Sequence, residues 1–127
     1  MDETAFILGL MLAAKHFIAD GPLQTPYQYL NKGKFGHFGG IMHAAIHGFL
    51  SFPAIILAGA PWWLAVADAV AHYVIDFVKT RYSKREWAER TDAGLLIKSD
   101  WYFYALVLDQ SAHFATYAVI IAVASGV

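Results

Sequence analysis

Ala67-Asp68-Ala69-Val70-Ala71-His72-Tyr73-Val74-Ile75-Asp76 is the stretch that decides the fold. An ionisable residue recurs at every fourth position, and everything between is apolar or aromatic. On an α-helix, residues i and i+4 lie on one face, a turn apart. The stretch therefore reads as a helix with one narrow polar stripe on an otherwise apolar surface. The same step of four joins His16 to Asp20, His43 to His47, and Asp109 to His113.

Each of these pairs lies in or at the end of an apolar run. The runs cover about residues 4–20, 40–60, 61–79 and 101–125. Crossing a bilayer takes roughly 20 apolar residues, and the first run, short by itself, tilts or extends through Gly21. The 127 residues are 58% hydrophobic and 15% charged, whereas a soluble domain is about a quarter charged. The expectation is an all-α, integral membrane four-helix bundle, one transmembrane domain over residues 1–127. A formal net charge of −1 gives no electrostatic case for nucleic acid. Cysteine is absent, which excludes disulfides and thiolate metal sites. The acidic start, Met1-Asp2-Glu3-Thr4, argues against a cleaved signal peptide, so the first helix is expected to be retained.

The linkers differ in kind. Gly59-Ala60-Pro61 makes a tight turn, followed by Trp62 and Trp63 as an interfacial pair. Loop 21–39 reads as an ordered surface loop with a helical turn. Loop 80–100 is the most charged part, and Ser83–Glu89 suits a short helix on the membrane surface. The two long loops hold Lys32, Lys34, Arg81, Lys84, Arg85, Arg90 and Lys98, while the turn and both termini hold no basic residue. Basic loops stay in the cytoplasm. Both termini are accordingly expected outside it.

An ionisable residue at a helix centre costs about 2.5–3.5 kcal/mol by insertion scales. This chain carries nine in its spans: His16, Asp20, His43, His47, Asp68, His72, Asp76, Asp109 and His113. Their stripes overlap in the cytoplasmic half and can meet only inside the bundle. Imidazole and carboxylate on facing helices are how bundles hold metals. His16, His43, His47, His72, Asp76, Asp109 and His113 are the candidate ligands, for one or two divalent transition metal ions. Mixed nitrogen and oxygen donors suit zinc first, with iron or manganese as alternatives. Asp20 or Asp68 is the candidate general base. His47 lies 13 residues before Ala60 and His72 lies 11 after Pro61, so the two should face each other within ~3 Å in height and share an ion.

Other residues carry smaller expectations. Lys15 points ~100° from His16 and snorkels to the surface. Lys79 pairs with Asp76 or a lipid phosphate, Gln24 hydrogen-bonds near the site mouth, and His37 is exposed in a glycine-rich loop. The functional expectation is a metal-dependent hydrolase acting near the cytoplasmic leaflet. Its substrate would be a membrane lipid or a lipid-linked phosphate or ester. The rival is a metal-ion or proton transporter, channel or sensor, disfavoured because the outer half of each span is almost wholly apolar. A diiron oxidase fits less well for want of glutamate. A homo-oligomer is left open.

The segments His16-Phe-Ile-Ala-Asp20 with Leu23-Gln24-Thr25, His43-Ala-Ala-Ile-His47, His72-Tyr-Val-Ile-Asp76 and Asp109-Gln-Ser-Ala-His113 resemble an uncharacterised family of small bacterial and phage inner-membrane proteins. The likeness runs over nearly the whole chain. That family is in turn distantly similar to proteins described as membrane-bound metal-dependent hydrolases. The resemblance implies a multi-pass protein of the bacterial inner membrane.

Overall fold

A computed structural model describes residues 2–83, 89–90, 96–97 and 100–126. Its elements are α1 (Glu3–Asp20), α2 (Pro26–Asn31), α3 (Phe38–Leu57), α4 (Trp63–Ser83), β1 (Glu89–Arg90), β2 (Leu96–Ile97) and α5 (Asp100–Ala124). The strands form one short antiparallel pair, Glu89 opposite Ile97. The fold is thus helical. α3 packs on α4 and α1, α5 packs on α4 and α1, and α2 lies against α3. The four long helices close into a ring around one interior.

Local chemistry sets the ends. Asp2 caps α1 by accepting from the Thr4 amide. Thr25 and Gln28 form a reciprocal capping box on α2, with Pro26 in its first turn. This is the helical turn expected in loop 21–39. His37, expected to be merely exposed, is half-buried and caps α3, its Nδ1 accepting from the Gly39 amide at 3.1 Å. The α3–α4 turn needs Gly59, whose φ of +69° only glycine adopts freely. Gly48 lets those helices touch: a Cβ there would lie 2.8 Å from Ala69 Cβ and 2.9 Å from the Ala65 carbonyl oxygen.

The interior has two parts. Near the α3–α4 turn it is apolar, built from Leu8, Leu12, Ala54, Ile55, Leu64 and Ile120 with their neighbours. Toward the other end it is polar, with five histidines and three lysines buried or half-buried among four carboxylates. The outer surface is the reverse, exposing Phe6, Leu10, Phe17, Phe49, Val70 and Leu108 among many large apolar side chains. Among the described residues two helices, over Phe38–Leu57 and Trp101–Ala124, are long and apolar enough to cross a membrane. α1 and α4 are less apolar because Lys15, Asp20, Asp68, Asp76 and Lys79 lie within them. The surface helix expected over Ser83–Glu89 falls largely on residues outside those described; Ser83 itself closes α4.

Candidate metal centre

The step of four brings every stripe to the polar interior. α1 contributes Lys15, His16 and Asp20, and α3 contributes His43, His47 and Ser51. α4 contributes Asp68, His72, Asp76 and Lys79, and α5 contributes Asp109, Gln110, His113 and Tyr117. Gln24 and Lys32 enter from the segment around α2. All nine expected site residues are drawn together.

The imidazoles form a column. His47 stacks on His72 with centroids 3.4 Å apart and planes 22° off parallel, and His72 stacks on His113 at 4.1 Å and 27°. His47 and His72 do therefore face each other at one height. His43 meets both edge-on, at 4.8 and 5.1 Å.

The donor atoms crowd most around His43. Its Nε2 lies 3.0 Å from Asp20 Oδ1, 3.1 Å from Gln24 Nε2, 3.2 Å from His72 Nε2 and 3.3 Å from Asp76 Oδ2. His72 Nε2 is 3.4 Å from the same Asp76 oxygen. His43, His72 and Asp76 thus present three donor atoms with mutual separations of 3.2, 3.3 and 3.4 Å. A tetrahedral ion with bonds of about 2.0–2.1 Å sets its ligands about 3.3 Å apart. These atoms fit that shape. Among the described residues three further, overlapping groups could hold an ion: Asp20 with His43, His47 and His72; His16 with His72 and His113; and Asp76 with Asp109 and His113.

Partners sort the histidines. Lys15 Nζ sits 2.6 Å from Asp68 Oδ2 and 3.3 Å from His47 Nδ1. An ammonium only donates, so His47 Nδ1 accepts and its Nε2 carries the hydrogen, aimed at Asp20 Oδ1 3.2 Å away. His16 is held likewise. Gln110 gives its amide N–H to Asp109 Oδ2 at 3.1 Å, which turns its carbonyl oxygen to His16 Nε2 at 3.0 Å. His16 Nε2 must then donate, and its Nδ1 accepts from the Tyr117 hydroxyl at 2.9 Å. His16 Nε2 also lies 3.2 Å from Asp20 Oδ2. Asp20, its side chain 26% exposed, therefore accepts the His47 N–H, with His16 Nε2 close to its other oxygen.

Three of the carboxylates have a lysine. Lys15 pairs with Asp68, which also accepts from Ser51 Oγ at 2.5 Å; Lys32 pairs with Asp76 at 3.1 Å and Lys79 with Asp109 at 3.1 Å. This corrects three expectations. Lys15 does not snorkel, because Asp68 and His47 offer an internal partner. Lys79 takes Asp109 rather than Asp76, which Lys32 already holds. Lys32, counted as a surface-loop residue, is buried. Gln24 sits where expected, near the mouth and against His43.

Sequence reasoning missed Ser51, Tyr117 and Thr80 as interior polar groups. Each lies four residues beyond a stripe member, His47, His113 and Asp76, so extending the stripes to hydroxyls would have found them.

The chain belongs to the DUF3307 family, described as proteins of unknown function, whose model matches residues 6–127. No curated protein and no solved structure matches it.

Proposed function

We propose that the protein is a metal-dependent hydrolase of the bacterial inner membrane, spanning it four times. Its substrate class is a lipid or a lipid-linked phosphate or ester taken from the cytoplasmic leaflet. The observation that carries the metal is the crowding at His43 Nε2, which has four polar atoms within 3.3 Å. An imidazole nitrogen offers one hydrogen or one lone pair. It cannot serve four partners, whereas a cation would be shared by His43 Nε2, His72 Nε2 and the carboxylate oxygens of Asp20 and Asp76; the Gln24 amide nitrogen only donates.

Membrane insertion is supported by the inverted distribution of side chains, charged groups inside and large apolar ones outside. In water such a surface would be an aggregation liability. A groove of about 360 Å³ between α4 and α5, lined by Val74, Val78, Trp101 and Leu108, runs to Lys79 and Asp109. Its apolar walls and charged end suit an acyl chain with an anionic head group. The apolar core beyond the site favours a dead end over the rival reading, an ion or proton path, which needs polar groups at every depth.

In this reading His43, His72 and Asp76 hold the ion, zinc before iron or manganese. A bound divalent ion would acidify a water and polarise the scissile group. Asp20 accepts the proton of the attacking water, oriented by His16 and His47. Asp68, the other carboxylate considered for this role, is tied to Lys15 and Ser51. Lys79, half-buried at the groove, offsets the charge of a head group.

Plasma mass spectrometry of the detergent-purified protein tests the centre. Divalent metal should copurify, be lost in His43→Ala and His72→Ala, and persist in His37→Ala. Metal-free protein whose melting temperature ignores both chelator and added ions would refute it. Single cysteines at Lys34 and Trp62 should label from opposite sides of the membrane; labelling from one side refutes the four-span topology. Release of phosphate or alcohol from lipid substrates in mixed micelles, abolished by chelator, tests the hydrolase itself.

A further inference from the structure

We infer that the protein holds a second divalent ion, between His113, Asp109 and Asp76, beside the first and joined to it through Asp76. The inference rests on the metal reading above and extends it to a two-ion centre.

The observation behind it is a set of buried polar atoms that lack hydrogen-bond partners. His113 Nε2 and Asp109 Oδ1 are both buried and both unpartnered among the described residues. They face each other at 3.6 Å, and His113 Nε2 is 3.8 Å from Asp76 Oδ1. These separations are too long for N–H···O bonds, which cluster at about 2.7–3.2 Å. Burying such atoms unsatisfied costs about 1–3 kcal/mol each. The three groups offer donor atoms within 4.8 Å of one another, and drawing them in by a few tenths of an ångström brings them to the separation of about 3.0–3.4 Å that ligands keep at bond lengths near 2.1 Å. Lys79 does not fill it, since its contact is with the other Asp109 oxygen, Oδ2.

The column of rings points the same way. His72 and His113 stack at 4.1 Å but meet different partners: His72 Nε2 lies by His43 Nε2 and Asp76 Oδ2, and His113 Nε2 by Asp109 Oδ1 and Asp76 Oδ1. Asp76 spans the two positions, Oδ2 toward His43 and His72 and Oδ1 toward His113, with Lys32 Nζ 3.1 and 3.2 Å from the two oxygens. A carboxylate split in this manner is the geometry of a bridge between ions about 3.5–4 Å apart. The three lysines leave one net negative charge among the four carboxylates, so two dications make the centre strongly positive, a charge that an anionic substrate lowers.

The test is Mn²⁺ loading of the chelator-stripped, detergent-solubilised full chain. Equilibrium dialysis with plasma mass spectrometry counts the ions, and low-temperature electron paramagnetic resonance reports their coupling. Two Mn²⁺ per chain with an exchange-coupled spectrum are expected. His113→Gln and, separately, Asp109→Asn should each reduce the count to one and leave an uncoupled six-line signal. Two variants guard against one failing to fold, and circular dichroism checks both. One ion in the wild type, unchanged by either variant, overturns the second site and leaves the first standing. Two ions without coupling also overturn it, because the second ion is then elsewhere. No bound ion at all refutes the metal reading itself.

Discussion

The two parts of the bundle interior are comparably buried and chemically opposite. Around Leu8, Leu12, Ile55 and Ile120 the helices meet through dispersion contacts alone. Around His43, Asp76 and Lys15 they meet through hydrogen bonds and ion pairs, many of them between different helices. Dispersion has no direction, so any well-fitting apolar side chain serves the first part. A buried charge needs its own partner, so the second part specifies which residue faces which. The first part seals the bundle, and the second fixes its register and carries its chemistry.

The largest effect that would sharpen this contrast is expected at Lys15. Lys15→Met leaves Asp68 buried without its cation and should cost about 3–5 kcal/mol, read from thermal or detergent unfolding. Adding Asp68→Leu should recover most of that loss, since replacing a buried pair by apolar groups is often neutral. If the single change is silent, the pair is not what holds α1 to α4.

Next comes the apolar part. Leu12→Ala should cost about 2–5 kcal/mol through the cavity it leaves, whereas Leu12→Met should cost under about 1.5 kcal/mol. A large loss for Leu12→Met would mean that this part too is specified residue by residue, and the contrast would fail.

His47 separates donors from ligands. His47→Gln keeps an N–H for Asp20 and should retain bound metal, while His47→Leu should weaken metal binding about 10–100-fold, as loss of an orienting partner does. Titration with a competing chelator measures both. Equal and complete loss in the two variants would show His47 to be a ligand after all.

Two smaller effects probe the frame. Gly48→Ala forces α3 off α4 and should cost about 1–3 kcal/mol. His37→Ala removes one helix cap and should cost about 1 kcal/mol without touching metal content. A change in bound metal in the latter would tie the α3 cap to the site.

Much of this architecture is legible in the amino-acid sequence. The step of four in each apolar run places nine ionisable residues on inward faces, and the Gly59-Ala60-Pro61 turn sets His47 opposite His72. Those inferences need only helical periodicity and the length of a turn. Lys15 escapes them because periodicity gives a direction on one helix and says nothing of what stands across from it. Its direction on α1 would suit a surface lysine, yet Asp68 and His47 on two other helices meet it there.

The long helices, their polar stripes and the resulting crowd of imidazoles and carboxylates can be read from the order of residues, because all three follow from local spacing. Which lysine neutralises which aspartate, which imidazole nitrogens donate, and which atoms are left facing a gap are settled by the packing of the helices. Those depend on distances between helices of a few tenths of an ångström, where a hydrogen bond, an ion pair and a metal site part company, and no spacing along one chain encodes them.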